Sequence, residues 1–236
     1  MAGAALALGL ACAGAAAARA EKMSLAEIGR GVKAEGSRLF GSLEFRSPSL
    51  SALPQWRRIL EKMQSDRDML ARCTADAKDC RPASARAWRE AIAQARGLGR
   101  RQQIDIVNRY FNKWPYKLDS ELYGVREYWA TPVEFMSRSG DCEDFAIAKF
   151  FALRQLGFGN EEMRVVALLD QIRGIGHAVL VIFLEGDILV LDNLNEYVLS
   201  HNLYAHYRPH FSVNETHRWA HVRAVEPALA GRERSN

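Results

Sequence analysis

The run Ser139-Gly-Asp-Cys-Glu-Asp places a cysteine, Cys142, where a glycine-containing turn gives way to an apolar, helix-prone stretch. Thirty-five residues on, His177 heads the apolar segment that runs to Leu184, and fifteen after that Asp192 follows Val190-Leu191. Thiol, imidazole and carboxylate in this order supply what nucleophilic thiol chemistry needs: a thiolate, a base to make it, and an acceptor that orients the base. At the first turn of a helix, unpaired backbone N–H groups and the positive dipole end favour an anion, which lowers the pKa of a thiol placed there. A structural cysteine is typically buried among apolar side chains. Cys142 is instead flanked by Gly140, Asp141, Glu143 and Asp144, which predicts a thiol that begins its helix beside water.

The partnership of His177 and Asp192 follows from strand register. Glu185-Gly186 is a hairpin signal between two β-rich runs. Pairing symmetrically about that turn sets His177 opposite Leu194, with Asp192 on the same sheet face at the diagonal position. Diagonal neighbours lie roughly 7–8 Å apart, within side-chain reach. A loop with an odd residue count would put the two on opposite faces, and Asp192 on its own is equally a strand-end cap beside Asn193. The remaining histidines (His201, His206, His210, His217 and His221) offer no good ligand setting and read as surface or packing residues. The acidic cluster Asp141, Glu143 and Asp144 favours the helix start but opposes a thiolate between its members. A bound hard cation removes that conflict, and carboxylates suit calcium. A solvated, capped helix start accounts for the same spacing.

Positioning these residues takes a particular order of elements. Pro54 to Leu70 carries Trp56, Ile59, Leu60, Met63 and Leu70 near helical spacing. A second helix is expected from a Ser84 cap to about Ala95, and a third from about Arg101 to Trp114, stopped by Pro115. Residues 115–140 read as a long functional connection. Cys142 to about Leu156 is apolar nearly all round and is expected to be a central buried helix. The period then changes to strands over Met163–Leu169, Ala178–Leu184 and Asp187–Leu191, with further short strands within 197–225. Helices first and strands afterwards argue an α+β fold.

Residues 1–20 read as a signal peptide ending in Ala18-Arg19-Ala20, although no Lys or Arg precedes the apolar run. Cys12 lacks an apolar residue at Gly9 and does not read as a lipidation site. The expected organisation is an irregular arm over 21–52 anchored by Leu39-Phe40 and Leu43-Phe45, one domain over 53–226, and a loose tail over 227–236. The 236 residues carry 48% hydrophobic and 25% charged side chains, ordinary globular values, and a net charge of +4 without a dense basic run, so nothing argues for nucleic acid. In an exported protein Cys73 and Cys80 can close a short loop, which leaves Cys142 as the odd thiol.

The segments Tyr128-Trp-Ala-Thr-Pro-Val-Glu-Phe, Gly140-Asp-Cys-Glu-Asp-Phe-Ala-Ile-Ala-Lys-Phe, Gly176-His-Ala-Val-Leu and Leu189-Val-Leu-Asp-Asn-Leu together resemble the bacterial transglutaminase-like cysteine proteinases of the LapG type. The resemblance spans about residues 100–225. It implies a papain-like, transglutaminase-like α+β fold in the periplasm, with Cys142 as nucleophile, His177 as base and Asp192 as orienting residue. It also implies calcium beside the nucleophile, on Asp141, Glu143 and Asp144. The implied substrate is a large repeat-containing surface adhesin, cut near its N-terminus so that a biofilm disperses. The implied regulator is an inner-membrane cyclic-di-GMP receptor that sequesters the protease. The alternatives are acyl transfer to an amine on the same fold, a non-catalytic exported binding module and, more weakly, a murein amidase.

Overall fold

The structure, a computed structural model, describes residues 33–35, 39–80 and 82–223; the expected signal segment, the tail and most of residues 21–38 lie outside them. Two strands come first, β1 (Lys33–Glu35) and β2 (Ser42–Ser47). The helices α1 (Pro54–Ala75), α2 (Ala83–Ala95), α3 (Arg100–Phe111), α4 (Asp119–Leu122), α5 (Pro132–Arg138) and α6 (Cys142–Gln155) follow. Then come β3 (Met163–Asp170), β4 (Ile175–Leu184), β5 (Asp187–Leu191), β6 (Leu199–Ser200), β7 (Tyr207–Val213) and β8 (Arg218–Arg223). All eight strands form one antiparallel sheet in the order β1-β2-β8-β7-β3-β4-β5-β6. The fold is α+β, as the order of elements predicts.

The main core lies between the helices and one sheet face. Alternation on the strands turns Val165, Ala167, Leu180, Ile182, Leu189 and Leu191 toward it. Helix α6 sits against β4 and β3, and every residue from Cys142 to Leu153 is buried, as its all-round apolar composition predicts. The opposite face buries Val166, Leu168, Val179, Val181 and Val190 beneath Leu39, Phe40, Tyr204 and Tyr207.

Several expectations need correction. The loop 115–140 contains α4 and α5. Thr131-Pro-Val-Glu134 is a capping box, with the Glu134 N–H donating to Thr131 Oγ1 at 3.3 Å and the Thr131 N–H to Glu134 Oε2 at 2.9 Å. Ser84 does not cap α2; Pro82 stands at the cap position and Ser84 is buried within the helix. The segment 39–47 is not an irregular arm. Strand β2 pairs along β8, and its alternation turns Ser42 and Glu44 inward, leaving Leu43 exposed instead of anchoring. Leu39 and Phe40 are buried as expected.

Glu44 meets Arg164 in a buried ion pair, with the guanidinium 3.7 Å over the Trp219 ring. Beside it, Ser42 Oγ donates to Leu39 O at 2.8 Å. Ser42 therefore accepts from His221 Nδ1–H, 2.8 Å away, and His221 Nε2 accepts from Ser212 Oγ at 2.8 Å. Burial, with the nearby Arg164 charge, pushes the His221 imidazole down to about 3 from 6.5. Between those values the unfolded chain binds a proton that the native state refuses, so stability falls as pH drops from 6.5 toward 3. His221→Gln is expected to flatten that part of the pH dependence, read by urea unfolding at pH 7 and pH 4. An unchanged slope would show that the acid response lies elsewhere.

Cys73 and Cys80 are joined by a disulfide seven residues apart, tying the end of α1 to the turn before α2. A loop this short is expected to contribute about 2 kcal/mol through the unfolded state. Urea unfolding of Cys73→Ala/Cys80→Ala should show a loss of that size; an unchanged midpoint would mean the bond is energetically idle.

Candidate active site

The turn before α6 is shaped by side chains that fold back on it. Ser139 is left-handed, with φ of 71°. A Cβ on Gly140 would overlap the Asp144 carboxylate, which bends back to accept the Asp141 N–H at 3.2 Å. Only glycine leaves that space. The other Asp144 oxygen accepts the Ala130 N–H at 2.6 Å, and the Lys117 N–H donates to Gly140 O at 2.9 Å. The 115–131 segment is thereby tied over the helix start. Cys142 is in consequence 1% exposed, and Asp141, Glu143 and Asp144 are buried with it. The expectation of a thiol beside water is corrected: the helix start is bonded to the 115–131 segment through Asp144 and Gly140 instead of facing solvent. Cys142 packs on Ala178, the residue after His177, and its thiol lies 3.2 Å from Glu143 Oε2.

His177 and Asp192 meet as the register predicts. Strands β4 and β5 pair Leu180 with Leu191 and Leu184 with Asp187 around the Glu185-Gly186 turn, where both residues have positive φ. Beyond the last pair, His177 Nε2 lies 2.9 Å from Asp192 Oδ1. Oδ1 also accepts the Leu194 N–H at 3.0 Å, and Oδ2 accepts from Tyr207 Oη at 2.6 Å. Burial alone would raise the Asp192 pKa, but His177, Tyr207 and the Leu194 N–H outweigh it and hold the carboxylate at about 2. Asp192 is therefore ionised at neutral pH, and His177 directs its Nε2–H toward it. The Asp192 carbonyl is clamped by Nδ2 of Asn112, the residue capping α3, at 2.8 Å, and Asn108 of α3 holds the Asn195 carbonyl at 2.9 Å. Asn108 in turn accepts from the buried Lys149 of α6 at 2.8 Å.

A third group of residues surrounds Asp141. Asp119, Asp141 and Asp144 each present a carboxylate oxygen within 4.8 Å of the others, and Asp141, Cys142 and Glu143 form a second such group. All are buried. Burial raises the Asp119 carboxyl to about 6 and the Asp141 carboxyl to about 10, with Glu143 adding to the latter, and Asp144 is raised by burial and by Asp141. One oxygen of Asp119 and one of Asp141 are buried without a hydrogen-bond partner. Converging carboxylates with orphaned oxygens fit a hard cation such as calcium. Asp119 is the member of the site that sequence spacing misses, because no local pattern links it to residues 22 to 25 positions later. The histidines at 201, 206, 210, 217 and 221 join no metal-binding group among the described residues.

A cysteine-bearing helix packed on an antiparallel sheet, with a His–Asp pair at the sheet end, defines a fold of the transglutaminase-like class. Residues 63–226 match the model of the bacterial transglutaminase-like cysteine proteinase family, and the chain belongs to that family. Solved structures of Legionella pneumophila LapG are similar: one at 27% identity covers 64% of this chain and 87% of that one, with a TM-score of 0.56. A calcium-bound LapG structure, also at 27% identity, covers 68% and 87% with a TM-score of 0.54. No curated protein matches the chain by sequence.

Proposed function

We propose that this protein is an exported, calcium-dependent cysteine endopeptidase that cuts a large repeat-containing surface adhesin near its N-terminus, releasing it and dispersing a biofilm. The observation that carries the catalytic part is the buried His177–Asp192 pair, with His177 next along β4 to the Ala178 on which the helix-start Cys142 packs. With Nε2 committed to Asp192, Nδ1 is the ring nitrogen left to take the Cys142 proton. The thiolate attacks the scissile carbonyl, imidazolium protonates the leaving amine, and water, deprotonated by His177, hydrolyses the acyl-enzyme. Backbone N–H groups at the start of α6 would stabilise the oxyanion. The covering segment must shift, or open locally, to admit a peptide to a thiol this buried.

Asp119, Asp141 and Asp144, with Glu143 alongside, would hold calcium, which would neutralise the buried carboxylates and fix the covering segment to the helix start. The Cys73–Cys80 disulfide favours an oxidising compartment, in keeping with a periplasmic location. The adhesin and the cyclic-di-GMP receptor rest on the family resemblance. The test incubates the mature protein with the purified N-terminal region of the largest repeat adhesin of its own genome. The lanes contain calcium, a chelator, or the Cys142→Ala variant. One discrete cut that needs both Cys142 and calcium is the expected result. No cut by a folded protein with a reactive thiol would redirect the reading to another substrate. Incorporation of an added primary amine would redirect it to acyl transfer.

A further inference from the structure

We infer that Tyr207 is a positioning residue of the active site, fixing Asp192 through its phenol and the His177 ring through an edge-to-face contact. The inference rests on the Cys142, His177, Asp192 reading proposed above. Tyr207 begins β7, two strands from β4, and pairs with Asp170 of β3. Alternation sets it on the same face as Leu168, whose partner across β3–β4 is His177. Its hydroxyl reaches Asp192 Oδ2 at 2.6 Å, the carboxylate oxygen that His177 does not use. Its ring stands edge-on to the imidazole, with centroids 5.8 Å apart. The phenol is a committed donor, since burial and then the Asp192 charge hold its pKa far above the ordinary value.

Tyr207 is itself held from behind. The Phe40 ring meets it edge-on at 5.7 Å, and Tyr204 stacks on it at 4.9 Å. Phe40 takes a left-handed backbone, with φ of 49°, and its N–H donates to His201 Nδ1 at 3.2 Å. The hook over residues 39–47 lies outside the stretch that matches the family model, yet it backs the tyrosine that holds the carboxylate.

The chemistry follows from charge sharing. Asp192 divides its charge between His177 and Tyr207, so losing the phenol leaves more of it on the imidazole while freeing the carboxylate to rotate. Tyr207→Phe keeps the ring and its packing. It is expected to lower kcat about tenfold with little change in KM, the size expected for one lost hydrogen bond to a buried charge. The decisive readout needs no substrate: the rate of Cys142 alkylation by iodoacetamide is followed against pH. Tyr207→Phe should move the upper midpoint of that profile to higher pH. Site-specific 3-fluorotyrosine at 207, a stronger donor of almost the same size, should move it to lower pH. In an Asp192→Ala background Tyr207→Phe should do nothing further.

A profile that neither variant moves, or a Tyr207→Phe effect that persists undiminished without Asp192, would overturn the inference. If Tyr207→Phe fails to fold, the fluorotyrosine profile alone decides. His177→Ala distinguishes the two readings: a wild-type profile in that variant would overturn the triad itself and the role of Tyr207 with it. A His177-dependent profile indifferent to Tyr207 would overturn only the latter.

Discussion

Replacing His177 by alanine is expected to reduce peptide cleavage by about three orders of magnitude, the range for loss of a general base that also generates the nucleophile. Cys142→Ala should leave no thiol-dependent cleavage, because among the described residues the other two cysteines, Cys73 and Cys80, are joined in a disulfide. Asp192→Asn tests the electrostatic half of the site. Asn keeps the shape and its carbonyl oxygen can still accept from Tyr207, but it removes the charge that stabilises imidazolium and, with its amide nitrogen then facing His177, the acceptor that fixes the tautomer. A loss of about two to four orders of magnitude in kcat is expected, by analogy with the same change in a serine-protease triad. All three variants should melt within a few degrees of the parent, so rates are compared on folded protein. The measurement is kcat/KM on a peptide spanning the cut, together with the alkylation rate of Cys142. Undiminished cleavage by His177→Ala would remove His177 from the mechanism.

Calcium should raise the melting temperature, and Asp119→Asn should abolish that response. Three carboxylates within 4.8 Å, all buried, repel one another unless some stay protonated or a cation sits among them. Calcium at a hundredfold excess over its Kd stabilises by about 2.7 kcal/mol, which for a chain of this size is a rise in Tm of about 5–10 °C. Asp119→Asn removes one ligand charge and one source of repulsion together. The variant is therefore expected to melt higher than the parent in chelator and lower than the parent in saturating calcium. That crossing of sign separates a metal ligand from a residue that only packs. A parent melting curve indifferent to calcium and chelator, in a protein that calorimetry also shows binds none, would remove the cation from the site.

Much of the site is legible in the sequence because its logic is local. Residues 140–144 announce a turn followed by a helix start. The positive φ values at Glu185 and Gly186 are those a two-residue hairpin demands, and that turn alone sets the register joining His177 to Asp192. The all-round apolar character of 142–153 predicts its burial, and the change of period at Met163 predicts α+β. The hairpin argument carries over fifteen residues because side-chain alternation in a strand leaves only two possible faces.

Tertiary structure alone decided the rest. Asp119 reaches the acidic cluster only because the segment after α3 crosses the head of α6, and Tyr207 reaches Asp192 only because β7 lies beside β3 in the sheet order. Neither pairing leaves a periodic trace, since each joins residues whose spacing in sequence reflects the path of the chain and not the pitch of an element. The burial of Cys142 has the same origin: its helix start is bonded to the 115–131 segment through Asp144 and Gly140, and its side chain packs on Ala178 of β4. The inward turn of Glu44 follows it too, because a charged residue in a short strand reads as exposed until the buried Arg164 that accepts it is in place. Local spacing determines which residues can do chemistry; the long-range contacts determine which carboxylate holds which, and how far the thiol is hidden.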